Sequence, residues 1–93
     1  MKIVFRIDTR DGRIINIPGE LVDVAPHLAS VATFVVHRYP TVLSKWWRVS
    51  NIESGRYVDF GRTKVEAIRK GTEVLRPITV EKMLATYRNH GVT

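Results

Sequence analysis

Asp11-Gly12 constrains this chain more than any other pair, because it stands between two runs of alternating apolar residues. A type I′ turn needs positive φ at both central positions, and Asp-Gly supplies them with a twist that suits antiparallel strands. On the N-terminal side, Lys2 to Asp8 places Ile3, Phe5 and Ile7 on one face and Val4 and Arg6 on the other. That is the period of a half-buried strand. Arg13 to Ile17 is the expected returning strand, closed by Pro18-Gly19.

A second hairpin is expected from Lys45 to Asn51 and Arg56 to Gly61, across Ile52-Glu53-Ser54-Gly55. Gly55 supplies the residue that takes a left-handed conformation in such a loop. Thr63-Lys64-Val65-Glu66 then has the pattern of a capping box. The Thr63 hydroxyl accepts from the Glu66 amide, and the Glu66 carboxylate reaches back to the Thr63 amide. The helix that follows is expected to present Val65, Ile68, Thr72 and Leu75 on one face and to end at Arg76-Pro77. Gly71 inside it costs about 1 kcal/mol relative to Ala. Thr79 caps a last helix with Val80, Met83, Leu84 and Tyr87 at helical spacing and Gly91 as its stop.

Between the hairpins, Glu20 to Val24 is expected as a short turn. From Pro26 to Tyr39 the apolar residues Leu28, Val31, Val35 and Tyr39 recur at helical spacing. Pro26 suits a first helical turn and Pro40 would end the element. Val31 to Val36 is also rich in β-branched residues, which fits a buried strand; of the two, the helix is the expectation carried forward. The result is an α+β domain in which two β-hairpins form one antiparallel sheet packed by helices, in the order ββα-ββαα. Ninety-three residues make a single domain, 1–93, with no internal repeat beyond that loose hairpin–helix duplication.

Composition narrows the function classes. The absence of cysteine excludes disulfides and thiolate metal sites. The longest apolar run, Val31 to Val36, is far short of the roughly 20 residues that span a bilayer. Arg6 interrupts the stretch in which a signal peptide would stay apolar. A cytoplasmic chain with no membrane association is expected. The histidines, His27, His37 and His90, have no metal-ligand spacing, and no nucleophile, base and orienting group share a short motif. Gly55 and Gly61 lie either side of a strand, with no Gly-Lys-Ser/Thr to cradle a phosphate. No enzyme, cofactor, catalytic residue or metal ligand is expected.

Charge points to a partner instead. Fifteen Lys and Arg against nine Asp and Glu give a net charge of +6. Residues 1–44 hold five basic and four acidic side chains, a net of +1, whereas residues 45–93 hold ten and five, a net of +5. A basic half suits nucleic acid first and an acidic protein surface second. The second hairpin lies in that half. Strict alternation puts Trp47 and Val49 on one face with Val58 and Phe60, toward the capped helix. Trp46, Arg48, Ser50, Tyr57 and Asp59 fall on the other. Aromatic rings stack on bases while Arg reads guanine edges or neutralises phosphate. Arg56, Arg62, Lys64, Arg69 and Lys70 lie nearby, where they could track a backbone. Alternatively the Pro26–Tyr39 helix covers Trp46, and the pair Trp46-Trp47 is ordinary core.

Residues 46–70, with Trp47-Arg48-Val49-Ser50-Asn51 followed by Gly61-Arg62-Thr63-Lys64-Val65-Glu66-Ala67, resemble the hairpin-to-helix junction of several families. One comprises the sheet-reading DNA-binding domains of plant ethylene-response factors and phage integrase arms. Another is the HicB-type antitoxin fold, and the junction is also similar to small accessory proteins of phages and prophages. The first resemblance implies a sheet entering the major groove, with DNA-contact roles for Trp46, Arg48, Arg56 and Tyr57. Those domains carry a third strand directly before the hairpin, where a helix is expected here. Two functions follow. The first is a nucleic-acid-binding module, DNA above all, using the face of the second hairpin. The alternative is a phage-encoded protein-binding regulator or inhibitor of a host system, acting in the host cytoplasm. Homodimerisation through the edge of the first hairpin is open to either, because unpaired strand edges are adhesive.

Overall fold

A computed structural model of the chain describes residues 1–8, 12, 14–38 and 46–89, with side chains from 1–6, 12, 15–38 and 46–89. Five antiparallel strands form one sheet in chain order: β1 (Lys2–Asp8), β2 (Ile14–Val22), β3 (Phe34–Arg38), β4 (Trp47–Asn51) and β5 (Tyr57–Gly61). Two helices follow, α1 (Lys64–Leu75) and α2 (Val80–Asn89). The α+β class and the antiparallel sheet are as expected, but the order is five strands then two helices, not ββα-ββαα.

The difference lies between the hairpins. Pro26–Leu28 makes only a 3-10 turn, with Pro26 at its start, and Phe34–Arg38 is the central strand of the sheet. Phe34, Val35, Val36 and His37 are all buried. A helix on a sheet buries one stripe, whereas a central strand covered on both faces buries every residue and shows no alternation. The β-branched run therefore marked the strand, and the helical spacing of Leu28, Val31 and Val35 was incidental. Tyr39 and Pro40 lie outside the described residues. Asp11, the rest of the first turn and the expected stop at Gly91 do too, although Gly12 takes φ +83°.

Strand β2 also runs past the expected stop at Pro18-Gly19, so Glu20 to Val22 is strand and not turn. The Leu21 amide donates to the Met1 carbonyl at 2.8 Å. By alternation, the proton that Pro18 lacks would point away from β1, beyond the Glu20–Val22 stretch that pairs with β3. A proline is harmless there. Gly19 has a different role. A Cβ on it would lie 2.4 Å from Cγ2 of Val35 and 3.0 Å from Cε1 of Phe5. Its bare backbone lets Phe5 lie across the sheet onto β3, with its ring 4.9 Å from that of His37.

The core has two parts. The larger joins one sheet face (Phe34, Val36, Val49, with Trp47 and Val58 at its margin) to Leu28 and to Ala67, Leu75, Met83 and Tyr87 of the helices. The smaller lies on the opposite face, around Phe5, Ile17 and Val35, flanked by Ile3, Ile15 and Ile52. Helix α1 begins as expected, with the Glu66 amide donating to Thr63 Oγ1 at 3.1 Å. The Glu66 carboxylate turns instead to Lys70 Nζ, 3.3 Å away. The helix's buried face differs from the expected one. Ala67, Gly71 and Leu75 face inward, while Val65 is 76% exposed. Small residues win because the helix lies close on the sheet: a Cβ on Gly71 would meet Val49 at 3.3 Å, and one on Gly61 would meet the Ala67 amide nitrogen at 2.7 Å. The Gly61…Ala67 spacing is thus a close-approach device.

Asn51 ends β4 and locks the turn behind it. Its side chain donates to the Tyr87 hydroxyl at 3.2 Å and to Glu53 Oε1 at 3.2 Å, and its Oδ1 accepts from the Ser54 amide at 2.9 Å. The Tyr87 hydroxyl in turn donates to the Val31 carbonyl at 2.8 Å. One buried polar node therefore ties α2, the 28–32 segment and the β4–β5 hairpin together.

Candidate functional site

The register of β4 with β5 decides what the exposed hairpin face presents. Trp47 pairs with Gly61, Arg48 with Phe60, Val49 with Asp59, and then Ser50 with Tyr57. One residue of β5, Val58, is left over: a β-bulge, two residues opposing one. Beyond the bulge, the alternation of β5 changes phase. Val58 packs into the main core and Asp59 pairs opposite buried Val49. Phe60, expected with Trp47 and Val49, instead shares a face with Arg48 and Tyr57. Asp59, expected on that face, leaves it, and its carboxylate accepts from the Phe60 amide at 2.7 Å.

The bulge brings three rings together on the outside of the sheet. Trp46 and Phe60 meet edge to face at 5.4 Å and 80°, and Tyr57 and Phe60 at 6.3 Å and 61°. All three are exposed, Trp46 by 39%, Phe60 by 40% and Tyr57 by 52%. Among the described residues no helix covers Trp46, since the segment expected to do so holds a 3-10 turn and strand β3. A cation lies against each ring. Arg48 is 4.6 Å from the centroid of Tyr57, Arg62 5.5 Å from Trp46 and Lys70 5.9 Å from Phe60. Such contacts contribute roughly 0.5–1 kcal/mol each at exposed sites. They favour this arrangement of rings and charges.

Five of the eight residues singled out from sequence converge here: Trp46, Arg48, Tyr57, Arg62 and Lys70. The other three do not. Lys64 pairs with Glu20 of β2, and that ammonium, hydrogen-bonded to the carboxylate and attracting it, holds the Glu20 carboxyl below its ordinary pKa. Arg69 pairs with Glu73 one helical turn on, at 3.3 Å. Arg56 lies in the β4–β5 turn and lines a groove of about 590 Å³ between that turn and Ile3 to Arg6 of β1. The row of cations along α1 is thus largely matched by carboxylates, Lys70 with Glu66 included. The aromatic cluster, not the helix, carries the distinctive chemistry.

Phe60 is the site residue that strict alternation misses. No local pattern marks it, because Tyr57-Val58-Asp59-Phe60 alternates well enough as an unbroken strand. The bulge is visible only in the pairing.

Behind the cluster, His37 of β3 pairs across the sheet with Arg48. Its Nδ1 lies 2.9 Å from the Arg38 carbonyl, which can only accept, so Nδ1 carries the proton. Nε2 then accepts from the Ser50 hydroxyl at 2.7 Å. Burial pushes the imidazole pKa down, the bond to the Arg38 carbonyl opposes that, and the Arg48 charge adds to it. His27 is exposed, with Nε2 2.9 Å from the Ile78 carbonyl. Among the described residues, no group of three or more His, Asp or Glu side chains could hold a metal ion, and no helix is long and apolar enough to cross a membrane. Comparison with known proteins adds no relative to this picture: no protein-family model, no curated protein and no solved structure matches the chain.

Proposed function

We propose that this chain is a nucleic-acid-binding module that acts through the β4–β5 face, and that it is not an enzyme. The observation that carries the proposal is the exposed cluster of Trp46, Tyr57 and Phe60, each ring with a cation within 6 Å. Exposed aromatic clusters are rare on soluble domains unless they bind something. Rings supply stacking surfaces, and cations beside them supply phosphate neutralisation, which is the combination nucleic acids select for. A protein partner would use the same aromatic residues as anchors. It would have less need for the arginines beside Tyr57 and Trp46, so nucleic acid is preferred. The excess charge of residues 45–93 supplies long-range attraction to a polyanion.

The test is fluorescence anisotropy of labelled oligonucleotides across a salt series, beside a control protein of matched net charge. Binding should fall steeply with salt. Arg48→Ala and Arg62→Ala should each weaken it, and removing one phosphate-neutralising side chain should reduce the log–log slope by about 0.7–0.9. Binding no stronger than the control at low salt would refute the proposal.

A further inference from the structure

We infer that the ligand of this face is an unpaired strand of DNA or RNA rather than a duplex, an inference that rests on the nucleic-acid proposal above. The geometry of the rings carries it. Trp46 and Phe60 are inclined at 80°, and Tyr57 and Phe60 at 61°. Bases within a helix are parallel and about 3.4 Å apart along each strand. Rings set at such angles, with centroids 5.4 and 6.3 Å apart, cannot join one continuous base stack. Each can receive only a base turned out of line with the next. A splayed single strand offers such bases. A duplex buries their faces and offers only edges in its grooves.

The cations point the same way. Reading a duplex in its major groove requires side chains that project to base edges, most often an arginine placed bidentate on guanine. Arg48 and Arg62 instead lie against Tyr57 and Trp46, at 4.6 and 5.5 Å from the ring centroids. A guanidinium on a ring keeps N–H groups directed sideways, where the phosphate next to a stacked base would pass. The bulge at Val58 is the device that makes this possible. Without it Phe60, the ring that touches both others, would face the core.

The experiment compares fifteen-nucleotide oligothymidylate, oligouridylate of the same length, and the thymidylate strand annealed to its complement, by anisotropy at one salt concentration. The full chain is used, with Tyr57→Ala, Phe60→Ala and Tyr57→Phe variants confirmed as folded by circular dichroism. The single strands should bind at least tenfold more tightly than the duplex. Tyr57→Ala and Phe60→Ala should each weaken single-strand binding by between about 5- and 150-fold, the range for losing one stacked base. Their salt slopes should be unchanged, because no phosphate contact is removed. Tyr57→Phe should bind as the parent does, since it keeps the ring. A difference between the two single strands would come from the 2′-hydroxyl or from the thymine methyl group, and with the duplex weaker than both it supports the inference. Equal or tighter duplex binding, or neutral ring variants, would overturn the inference while leaving the nucleic-acid proposal intact. Failure of all three ligands to exceed the charge-matched control would remove both.

Discussion

Replacing Gly71 by Ala sets two effects of similar size against each other. In an open helix the change stabilises by about 1 kcal/mol, because alanine loses less backbone entropy on folding. Here the new Cβ would lie 3.3 Å from Cβ, Cγ1 and Cγ2 of Val49. Val49 is fully buried, and β4 is paired with β3 on one side and β5 on the other, so its backbone has little room to retreat. Forcing a methyl group into a packed contact costs roughly 1–3 kcal/mol. The crowding should therefore cancel or exceed the propensity gain, for a net loss between about 0 and 2 kcal/mol. Urea unfolding followed by circular dichroism measures it, with an unchanged m-value showing that the denatured state is not the cause. The sharper measurement is a double-mutant cycle. Val49→Ala removes Cγ1 and Cγ2, two of the three atoms that the introduced methyl group would meet. Gly71→Ala should then be at least about 1 kcal/mol more favourable in that background. Additive effects, or a rise in the urea midpoint for Gly71→Ala alone, would show that α1 is not pressed against Val49 and that the small-residue face has another cause.

Tyr87→Phe should cost about 1–3 kcal/mol, because it leaves the Val31 carbonyl without its donor and takes one partner from Asn51. Chemical denaturation checks it, and a change under about 0.3 kcal/mol would mean that water replaces the hydroxyl. For His37 the folded pKa is depressed, so the unfolded chain binds the proton first as pH falls. Stability should be level above about pH 6.5 and decline below it, with a slope of at most about 1.4 kcal/mol per pH unit from this one group. His37→Gln should flatten that part of the profile. Stability that increases on acidification from pH 7 to 5.5 would contradict the assignment of a neutral, buried imidazole.

Legibility in the sequence followed the range of the interactions. The first strand is legible in the alternation of Lys2 to Asp8, and β5, α1, the end of β4 and the start of α2 lie within two residues of where turn and capping residues place them. Those features depend on neighbours a few residues away: Gly55 at φ +71°, the Thr63 hydroxyl on the Glu66 amide, the Thr79 hydroxyl on the Lys82 amide. Strand β3 is not legible from spacing alone, because a helix and a strand buried on both faces can share the same apolar residues over so short a run. What separated them was the arrival of α1 on one face and of Phe5, across Gly19, on the other.

The candidate site divides in the same way. The sequence alone determined that a basic hairpin–helix unit would carry Trp46, Arg48 and Tyr57 on one face, since period-two alternation holds along β4 and as far as the bulge. Only the tertiary structure decided that Phe60 joins them, that Arg62 and Lys70 lie beside the rings, and that Lys64 and Arg69 are matched by Glu20 and Glu73. The physical reason is one of distance. A bulge is a mismatch in count between two strands, the rotation of α1 is set by what Ala67 and Gly71 meet, and Glu20 is 44 residues from Lys64. Local chemistry specifies the elements, and contacts between them choose which side chains end up facing out.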